Sequence, residues 1–283
     1  MVSGALPDIL ARIVAKRRER YGLATDGGST TPFNGGLSPS SLPSAEEPLP
    51  LAAASLLEGN RFLEALRARA AAGGRAAIAE VKLGSPRLES LAGRIDPEHQ
   101  AEIYAGAGAA CLSVVVEPDF FRGSWFLLER CARACGLPTI AKDFVVSERQ
   151  LDEAAEAGAE AILLVAALYE RDALAAWAAA ARLRGLAPLI ETHDASDLER
   201  LAGTAWEMVG VNNRDLRTFE VDLDRSIALA PRLPPGALRV AESGIATRED
   251  VDRLAAAGFD AFLVGESLLL AADPGAKLRE LFA

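Results

Sequence analysis

The sequence predicts an α/β fold, a single (β/α)8 TIM barrel with an N-terminal helical extension. Eight short apolar segments alternate with helical patterns along the chain, which is typical of successive parallel βαβ units. Most of these segments end in a charged or amide residue, as the first does at Glu80 and Lys82. A strand that is buried on both faces has no need of such residues. Polar residues at the C-terminal ends of many strands are instead typical of the active site of a barrel.

The length and composition fit one large domain. The chain has 283 residues, of which 50% are hydrophobic, and about 250 residues is typical of such a barrel. We therefore expect an N-terminal helix and a linker rich in Gly, Ser and Pro over residues 1–54, followed by a catalytic barrel over residues 55–283.

Two helices are predicted before the first strand. Residues 6–21 carry apolar side chains on one face and basic side chains on the other, which indicates an amphipathic helix that covers one end of the barrel. Residues 22–50 have the composition of a loop or linker. A second helix is expected over residues 55–72, because Gly73 and Gly74 are suited to end it.

The remaining elements alternate regularly. Glycines that precede the next strand, where helix C-terminal glycines belong, are Gly106, Gly136, Gly158, Gly185 and Gly258. Strands are predicted near residues 76–82, 110–115, 138–142, 160–165, 187–191, 208–212, 238–242 and 260–264. Helices are predicted near residues 97–108, 124–135, 147–158, 170–184, 195–202, 224–231, 247–257 and 273–282.

An open, doubly wound sheet is the alternative to a closed barrel. That fold predicts a Gly-rich fingerprint directly after the first strand. The residues from Lys82 to Arg87 occupy this position and do not match the fingerprint. The pattern therefore favours closure into a barrel.

Charge and cysteine usage exclude several classes of function. The net charge of −10 argues against nucleic acid as a partner, because a phosphate backbone requires a basic face. Cys111, Cys131 and Cys135 have no nearby His or Cys set to complete a metal site, so we expect plain thiols in a reducing compartment. No apolar segment approaches the ~18 residues of a membrane span, and the N-terminus lacks an apolar secretory core. A cytoplasmic location is expected.

Two charged residues lie at the end of the first strand. Glu80 and Lys82 are two residues apart, so their side chains face the same way. At the barrel mouth they are expected to act on a ligand, and the alternative is a structural ion pair. Ser85, in the loop that follows, is expected to bind substrate or to form a turn.

The third and fifth strands also end in charged residues. Lys142 is a candidate general acid if desolvation lowers its pKa, although a neighbouring carboxylate opposes that shift. Glu191 is a candidate catalytic carboxylate, and its alternative is a solvated residue at the rim. His193 and His99 are expected to orient other groups or to lie on the surface.

The sixth strand ends in Asn212, Asn213 and Arg214. The guanidinium offers a planar fork that suits a carboxylate or a phosphate, and an amide supplies orientation-specific hydrogen bonds. A binding role for Asn212 and Arg214 is expected, and the alternative is a polar turn.

The seventh and eighth strands end in residues suited to an anion. Glu242, Ser243 and Gly244 follow one strand, and Gly265 and Glu266 follow the other. Glycine allows a close approach of backbone N–H groups to an anion, and the loops after these two strands are the usual phosphate site of the fold. Together with the absence of an acyl-transfer motif, the residues indicate acid–base chemistry on a phosphorylated small molecule with a second negative charge.

The motifs resemble those of the indole-3-glycerol phosphate synthase family. The matching segments are Ile78–Pro86, Phe120–Ser124, Lys142–Phe144, Ala161–Leu164, Leu189–Glu191, Gly210–Leu216, Ala241–Ile245 and Phe262–Ser267. They occur in the family's order and cover residues from about 55 to 283. The resemblance implies conversion of 1-(2-carboxyphenylamino)-1-deoxyribulose 5-phosphate to indole-3-glycerol phosphate, with loss of carbon dioxide and water and with no cofactor.

The resemblance also implies a role for each site residue. Lys142 is implied as the general acid, Glu191 as its acid–base partner, and Glu80 as an assistant in later proton transfers. Lys82 is implied to bind substrate, chiefly at the phosphate. The other implied substrate contacts are Ser85, Asn212, Arg214 and Glu242. The phosphate site is implied to form, largely through backbone, from Ser243, Gly244, Gly265 and Glu266. The implied protein is a monomer or a weak homo-oligomer.

Some segments depart from the family pattern. Arg87 replaces the second Ser of the usual Ser-Pro-Ser, and residues 113–116 read Ser-Val-Val-Val. A paralogous phosphosugar lyase or isomerase on the same barrel, which a Schiff base at Lys142 distinguishes, is one alternative function. A non-catalytic subunit that binds phosphoesters is another, although the charged groups that such a subunit can lose are all present.

Overall fold

The computed structural model describes residues 8–23, 56–85 and 95–282. Within these residues, eight parallel strands pair in sequence order, and the last pairs with the first, so that they close into a barrel. The predicted (β/α)8 fold is confirmed, and the doubly wound alternative is excluded because its sheet is open. Residue 87 lies outside the described residues, and so does the predicted linker except for residues 22 and 23.

The strands lie where the apolar segments predict them, to within one residue at each end. They are β1 Ala76–Val81, β2 Cys111–Val115, β3 Thr139–Lys142, β4 Ala161–Val165, β5 Ala187–Thr192, β6 Met208–Asn212, β7 Leu238–Glu242 and β8 Ala261–Val264. They are buried along almost their whole length, because crossover helices cover the outer face and side chains fill the interior.

The helices follow the prediction closely in all but two places. They are α1 Asp8–Arg20, α2 Arg61–Ala71, α3 Pro97–Gly106, α4 Trp125–Cys135, α5 Glu148–Glu156, α6 Arg171–Arg182, α7 Ala195–Arg200, α8 Asp224–Leu229, α9 Arg248–Ala256, α10 Glu266–Leu269 and α11 Pro274–Phe282. The helix α2 begins later than expected, because Asn60 caps it by accepting from the Leu63 amide at 3.0 Å. The short helix α10 was not predicted.

Glycines end several helices as expected. Gly136, Gly158 and Gly258 adopt left-handed φ angles of 66°, 86° and 93°, which a residue with a Cβ rarely adopts. The prediction for Gly106 is wrong by two residues. It remains inside α3, and Gly108 takes the left-handed conformation with φ 96°.

One layer of the barrel is formed by charged side chains. Glu80, Lys142, Glu191 and Glu242 come from β1, β3, β5 and β7, which are alternate strands. Alternate strands contribute the four side chains of one layer in this fold. Since Lys142 and Glu242 are the last residues of their strands, and Glu80 and Glu191 the last but one, the layer lies at the C-terminal mouth.

The helix α1 lies against this same mouth. Its Leu10 and Ile13 are buried in the hydrophobic core or at its edge, and Arg17 is only 3% exposed. Arg17 donates to the carboxylate of Asp143, which directly follows β3. An apolar stripe and one buried ion pair therefore hold the amphipathic helix over the barrel.

The three cysteines are free thiols, as expected. Cys111 and Cys131 are buried, and burial raises the pKa of the Cys131 thiol to about 12. In the described ranges 8–23, 56–85 and 95–282, every helix is too short or too polar to span a bilayer.

Candidate active site

A cavity of about 450 Å³ opens at the C-terminal ends of the strands. The predicted site residues that line it are Glu80, Lys82, Ser85, Lys142, Glu191, Asn212, Arg214, Ser243, Gly244, Gly265 and Glu266. Glu242 is the exception, because its side chain is fully buried and does not line the cavity. The structure therefore brings the predicted residues together at one rim.

Lys142 is the centre of the charged layer. Its Nζ atom lies 2.8 Å from Oε2 of Glu242, 3.7 Å from Oε2 of Glu80 and 3.8 Å from Oε2 of Glu191. Burial disfavours the ammonium form, but the three carboxylates together outweigh it, so the pKa of Lys142 is raised. The sequence left the direction of this shift open, and the three nearby carboxylates favour the ammonium form.

Glu242 lies under Lys142 in a space that a glycine provides. A Cβ atom at Gly210 on the neighbouring strand β6 would lie 2.2 Å from Oε1 of Glu242. Burial, reinforced by the negative charge of Glu191, raises the pKa of Glu242 to about 7, despite the opposing effect of Lys142. Glu242 therefore changes protonation state near neutral pH.

Glu80 and Lys82 form the ion pair that their spacing predicts. Nζ of Lys82 donates to Oε1 of Glu80 at 2.8 Å, while the other oxygen of Glu80 faces Lys142. Burial opposes ionisation of Glu80, but Lys82 and Lys142 outweigh it and lower the pKa of Glu80. Gly265 leaves the room for this carboxylate, since a Cβ there would lie 2.5 Å from Oε1. Both residues line the cavity, so the pair is accessible to a ligand.

The residues after β6 divide into two roles. Asn212 and Arg214 line the cavity, and Nη2 of Arg214 donates to Oε2 of Glu266 at 2.8 Å. Asn213 is fully buried and donates to the carbonyl oxygens of Glu242 at 3.0 Å and Ser243 at 3.2 Å. Asn213 thus fixes the end of β7, while its two neighbours line the cavity.

The turn after β7 is built from two left-handed residues. Ser243 has φ 66° and Gly244 has φ 81°, and both line the cavity. A Cβ at Gly244 would lie 2.1 Å from Cγ1 of Val221, so glycine is required by space as well as by backbone conformation. Such turns orient successive backbone N–H groups and are typical of anion sites.

His193 contacts Glu191, which the sequence did not predict. Its Nε2 lies 3.3 Å from Oε1 of Glu191, and its Nδ1 lies 3.6 Å from Oδ2 of Asp197. Burial lowers the pKa of the imidazole, but Asp197 and Glu191 outweigh it, so that the pKa of His193 is raised. The expected orienting role is compatible with this position, and the expected surface position is wrong.

An apolar wall faces the charged layer and was also missed. It is formed by Ile9, Leu10, Ile13, Phe121, Phe144, Leu216, Phe219, Val221 and Leu270. Its α1 members belong to the apolar face that the sequence predicts, but the others come from loops, where apolar side chains lack the periodicity that marks an element. A cavity with one charged side and one apolar side fits a ligand that is partly aromatic and partly anionic.

Within the described part of the chain, no group of His, Cys, Asp and Glu side chains is arranged to hold a metal ion. Lys82 and Lys142 supply two ammonium groups, which pair with Glu80 and Glu242. Carboxylates and ammonium groups at a cavity can transfer protons and stabilise charge.

Comparison with known proteins identifies close relatives. The family model of indole-3-glycerol phosphate synthase matches residues 47–281. An indole-3-glycerol phosphate synthase of Variovorax paradoxus is 42% identical over 98% of this chain and 100% of its own length. That of Chromobacterium violaceum is 46% identical over 78% of this chain and 83% of its own. A structure of 3-hexulose-6-phosphate synthase from Salmonella typhimurium, 14% identical, covers 73% of this chain and 96% of its own with a TM-score of 0.58, and this likeness concerns the fold alone.

Proposed function

The chain belongs to the indole-3-glycerol phosphate synthase family, and from that premise we propose how its residues close the indole ring. It is a carboxy-lyase of tryptophan biosynthesis that converts 1-(2-carboxyphenylamino)-1-deoxyribulose 5-phosphate to indole-3-glycerol phosphate, carbon dioxide and water. The observation that carries the proposal for the site is the convergence of Lys142 with Glu80, Glu191 and Glu242 at the rim of a cavity.

Lys142 is proposed to protonate the carbonyl oxygen as the ring attacks. The aromatic carbon that bears the carboxylate forms a bond to the carbonyl carbon, and negative charge develops on oxygen. The ammonium of Lys142, which its raised pKa keeps charged, supplies the proton. An alkoxide is a strong base, so it takes this proton even from an ammonium held among carboxylates.

Glu191 is proposed to stabilise the other charge of this step. Ring attack interrupts aromaticity and places positive charge on the anilino nitrogen, which a carboxylate at the rim stabilises. Loss of carbon dioxide then returns an electron pair to the ring. Glu80, which contacts both lysines, is proposed to assist the proton transfers that remove water.

Glu242 is given a different role from that predicted. It does not line the cavity, so we assign it to holding Lys142 through the 2.8 Å contact rather than to touching substrate. Asn212, Arg214 and Ser85 remain proposed contacts of the anthranilate end and of the intermediate, because all three line the cavity.

The phosphate is proposed to bind beside Lys82, at the turns that follow β7 and β8. Ser243, Gly244 and Gly265 are proposed to contribute backbone N–H groups. Glu266 contributes only its backbone, since its carboxylate would repel a phosphate and already pairs with Arg214. This arrangement follows the usual location of phosphate in the fold.

The proposal extends to the setting of the enzyme. A cytoplasmic location fits a biosynthetic enzyme with free thiols. We propose a monomer or weak homo-oligomer, with residues 1–54 as an extension of the catalytic barrel of residues 55–283.

The experiment is turnover of the carboxyphenylamino-deoxyribulose phosphate, followed by indole fluorescence and by the mass lost as carbon dioxide and water. Lys142→Ala and Glu191→Gln are each expected to lower kcat by at least ~10²-fold while circular dichroism still reports a folded barrel. Turnover at the wild-type rate in Lys142→Ala would remove Lys142 from the mechanism. Borohydride in the presence of substrate is expected to leave Lys142 unlabelled, because a Schiff base requires a neutral amine and the pKa of Lys142 is raised.

A further inference from the structure

The carboxylates of Glu191 and Glu242 differ in their surroundings. Glu191 has a cation beside each oxygen, since Oε1 lies 3.3 Å from Nε2 of His193 and Oε2 lies 3.8 Å from Nζ of Lys142. Glu242 has a cation only beside Oε2, at 2.8 Å from Lys142. Its Oε1 atom is buried and receives no hydrogen bond from the described residues.

A proton on Glu242 would give this buried carboxyl group a hydrogen-bond donor. Two carboxylates in contact in a buried site do not both ionise readily, and the more weakly stabilised one keeps a proton. A protonated Glu242 can donate to the carboxylate of Glu191, and this hydrogen bond is one of the causes that raise the pKa of Glu242. Which of the two residues, Glu191 or Glu242, carries the proton then depends on the groups that stabilise Glu191 as an anion.

His193 is the group that makes this difference. It is half-buried between Glu191 and Asp197, with 12% of its side chain exposed. Nε2 of His193 makes no hydrogen bond of acceptable geometry to the described residues. Its contact with Glu191 is therefore an ion pair, which depends on a charged imidazole. Asp197 is itself fixed, because it accepts from the His193 backbone amide at 2.8 Å and from Nη1 of Arg200 at 2.5 Å.

We propose that His193 is a positioning residue that holds Glu191 as the ionised member of the Glu191–Glu242 pair, so that the shared proton resides on Glu242. His193 touches neither substrate nor reacting atoms in this scheme and acts through Glu191. The inference rests on the proposed function, because it assigns Glu191 the anionic role in ring closure.

The charged groups around His193 define what its removal changes. Those that face it from the described elements are Glu191 on β5, Glu242 on β7, Asp197 and Arg200 on α7, and Asp194 at the start of that helix, with Lys142 on β3 behind Glu191. Loss of the imidazolium leaves an excess of carboxylates on this side of the site. Protonation of Glu191 then becomes easier, and the active ionic form is lost at a higher pH.

The test compares the pH profiles of wild type, His193→Gln and His193→Ala. Glutamine keeps a donor near the Nε2 position but no charge, and alanine removes both. In His193→Gln, the acidic limb of kcat is expected to move up by about one pH unit, with kcat at neutral pH lowered about tenfold and KM changed less than about threefold. His193→Ala is expected to show the same displacement and a larger loss.

Thr192→Val is the matched control. Thr192 precedes His193, is fully buried and donates to the Gly210 carbonyl oxygen at 2.7 Å, so its loss removes a buried hydrogen bond without removing a charge. This variant is expected to lower the unfolding temperature and to leave the acidic limb in place. A limb that stays at the wild-type pH in both His193 variants would overturn the proposal.

A second measurement does not depend on turnover. The chain contains two histidines, so imidazole NMR signals can be assigned by comparing wild type with His193→Gln, and the exposed His99 gives the reference signal. His193 is expected to remain protonated to a higher pH than a free imidazole, and a neutral His193 at pH 6 would contradict the ion pair. If Glu191→Gln keeps wild-type kcat, the proposed function of Glu191 fails; if only the His193 variants behave as wild type, the further inference alone fails.

Discussion

Arg17 on α1 donates a buried hydrogen bond to Asp143, the residue that directly follows Lys142. Both side chains are at most 3% exposed, and Gln150 also donates to Asp143, at 2.8 Å. The N-terminal helix is therefore attached to the end of the strand that carries the proposed general acid. Burial raises the pKa of Asp143 in spite of Arg17, so the pair is needed to keep this carboxylate charged.

Replacement of Arg17 is expected to weaken both the fold and the site. Arg17→Met leaves Asp143 buried without its cation, which costs about 3 kcal/mol or more in the free energy of unfolding. Because Ile9, Leu10 and Ile13 line the cavity, loosening α1 is also expected to raise KM. Chemical unfolding and steady-state kinetics measure the two effects.

The neighbouring pair between Arg20 and Asp119 is the control for Arg17. Its arginine side chain is 49% exposed, and exposed pairs contribute about 1 kcal/mol or less. Arg20→Met is therefore expected to change stability little. Equal, small losses in the two variants would show that the buried pair does not anchor the helix.

Gly265 is expected to be indispensable for the position of Glu80. In Gly265→Ala the new methyl group meets Oε1 and Cβ of Glu80 at 2.5 and 3.0 Å, so the carboxylate must move away from Lys82. Misplacement of a catalytic group lowers the reaction rate, so the kcat of Gly265→Ala is expected to fall by roughly 10²-fold. The control is Gly106→Ala at the end of α3, where nothing lies within 4 Å of the new methyl group and activity is expected to persist. Full activity of Gly265→Ala would mean that the position of Glu80 is unimportant.

The sequence predicted the layer of charge but not its surroundings. Apolar segments with polar ends locate Glu80, Lys142 and Glu191 on their strands, and the geometry of a closed barrel brings alternate strands together. Contacts such as Arg17–Asp143, separated by 126 residues, leave no local pattern. The helix α10 has four residues and is too short to show a period.

The direction of the Lys142 pKa shift shows a second limit of sequence. Burial and carboxylates act in opposite directions on an ammonium, and only distances decide between them. Three carboxylates within 4 Å raise the pKa, an outcome that depends on β1, β5 and β7 meeting in one layer. Gly265 likewise fits an anion site in sequence, whereas the space that it leaves for Glu80 is visible only in three dimensions.

Arg214 is expected to need its planar fork. Nη1 donates to the Phe219 carbonyl oxygen at 3.2 Å while Nη2 donates to Glu266 at 2.8 Å. A lysine carries the same charge but lacks the rigid planar fork that directs one N–H to each partner. Arg214→Lys is expected to raise KM about tenfold with a smaller effect on kcat. Arg225→Lys, at a residue on α8 that lies 3.6 Å from Asp215 and does not line the cavity, is the control and is expected to keep the wild-type KM.

The stability of the protein is expected to depend on pH through Glu242. In the folded state its pKa is raised to about 7, whereas an unfolded Glu has a pKa of about 4.3. The folded state thus binds the proton more tightly. The stabilisation from protonated Glu242 is complete below about pH 4 and is lost as the pH rises through about 7.

Glu242→Gln removes this titration while keeping the shape of the side chain. The free energy of unfolding of the variant, relative to wild type, is therefore expected to increase between about pH 4 and pH 7, by no more than about 4 kcal/mol, and to level off above. Denaturant unfolding at a series of pH values measures it. Glu64→Gln on α2 removes an exposed carboxyl and is expected to show a much smaller pH dependence. A difference between Glu242→Gln and wild type that is constant from pH 4 to pH 8 would show that Glu242 is already ionised throughout, and the proton would then have to reside elsewhere in the charged layer.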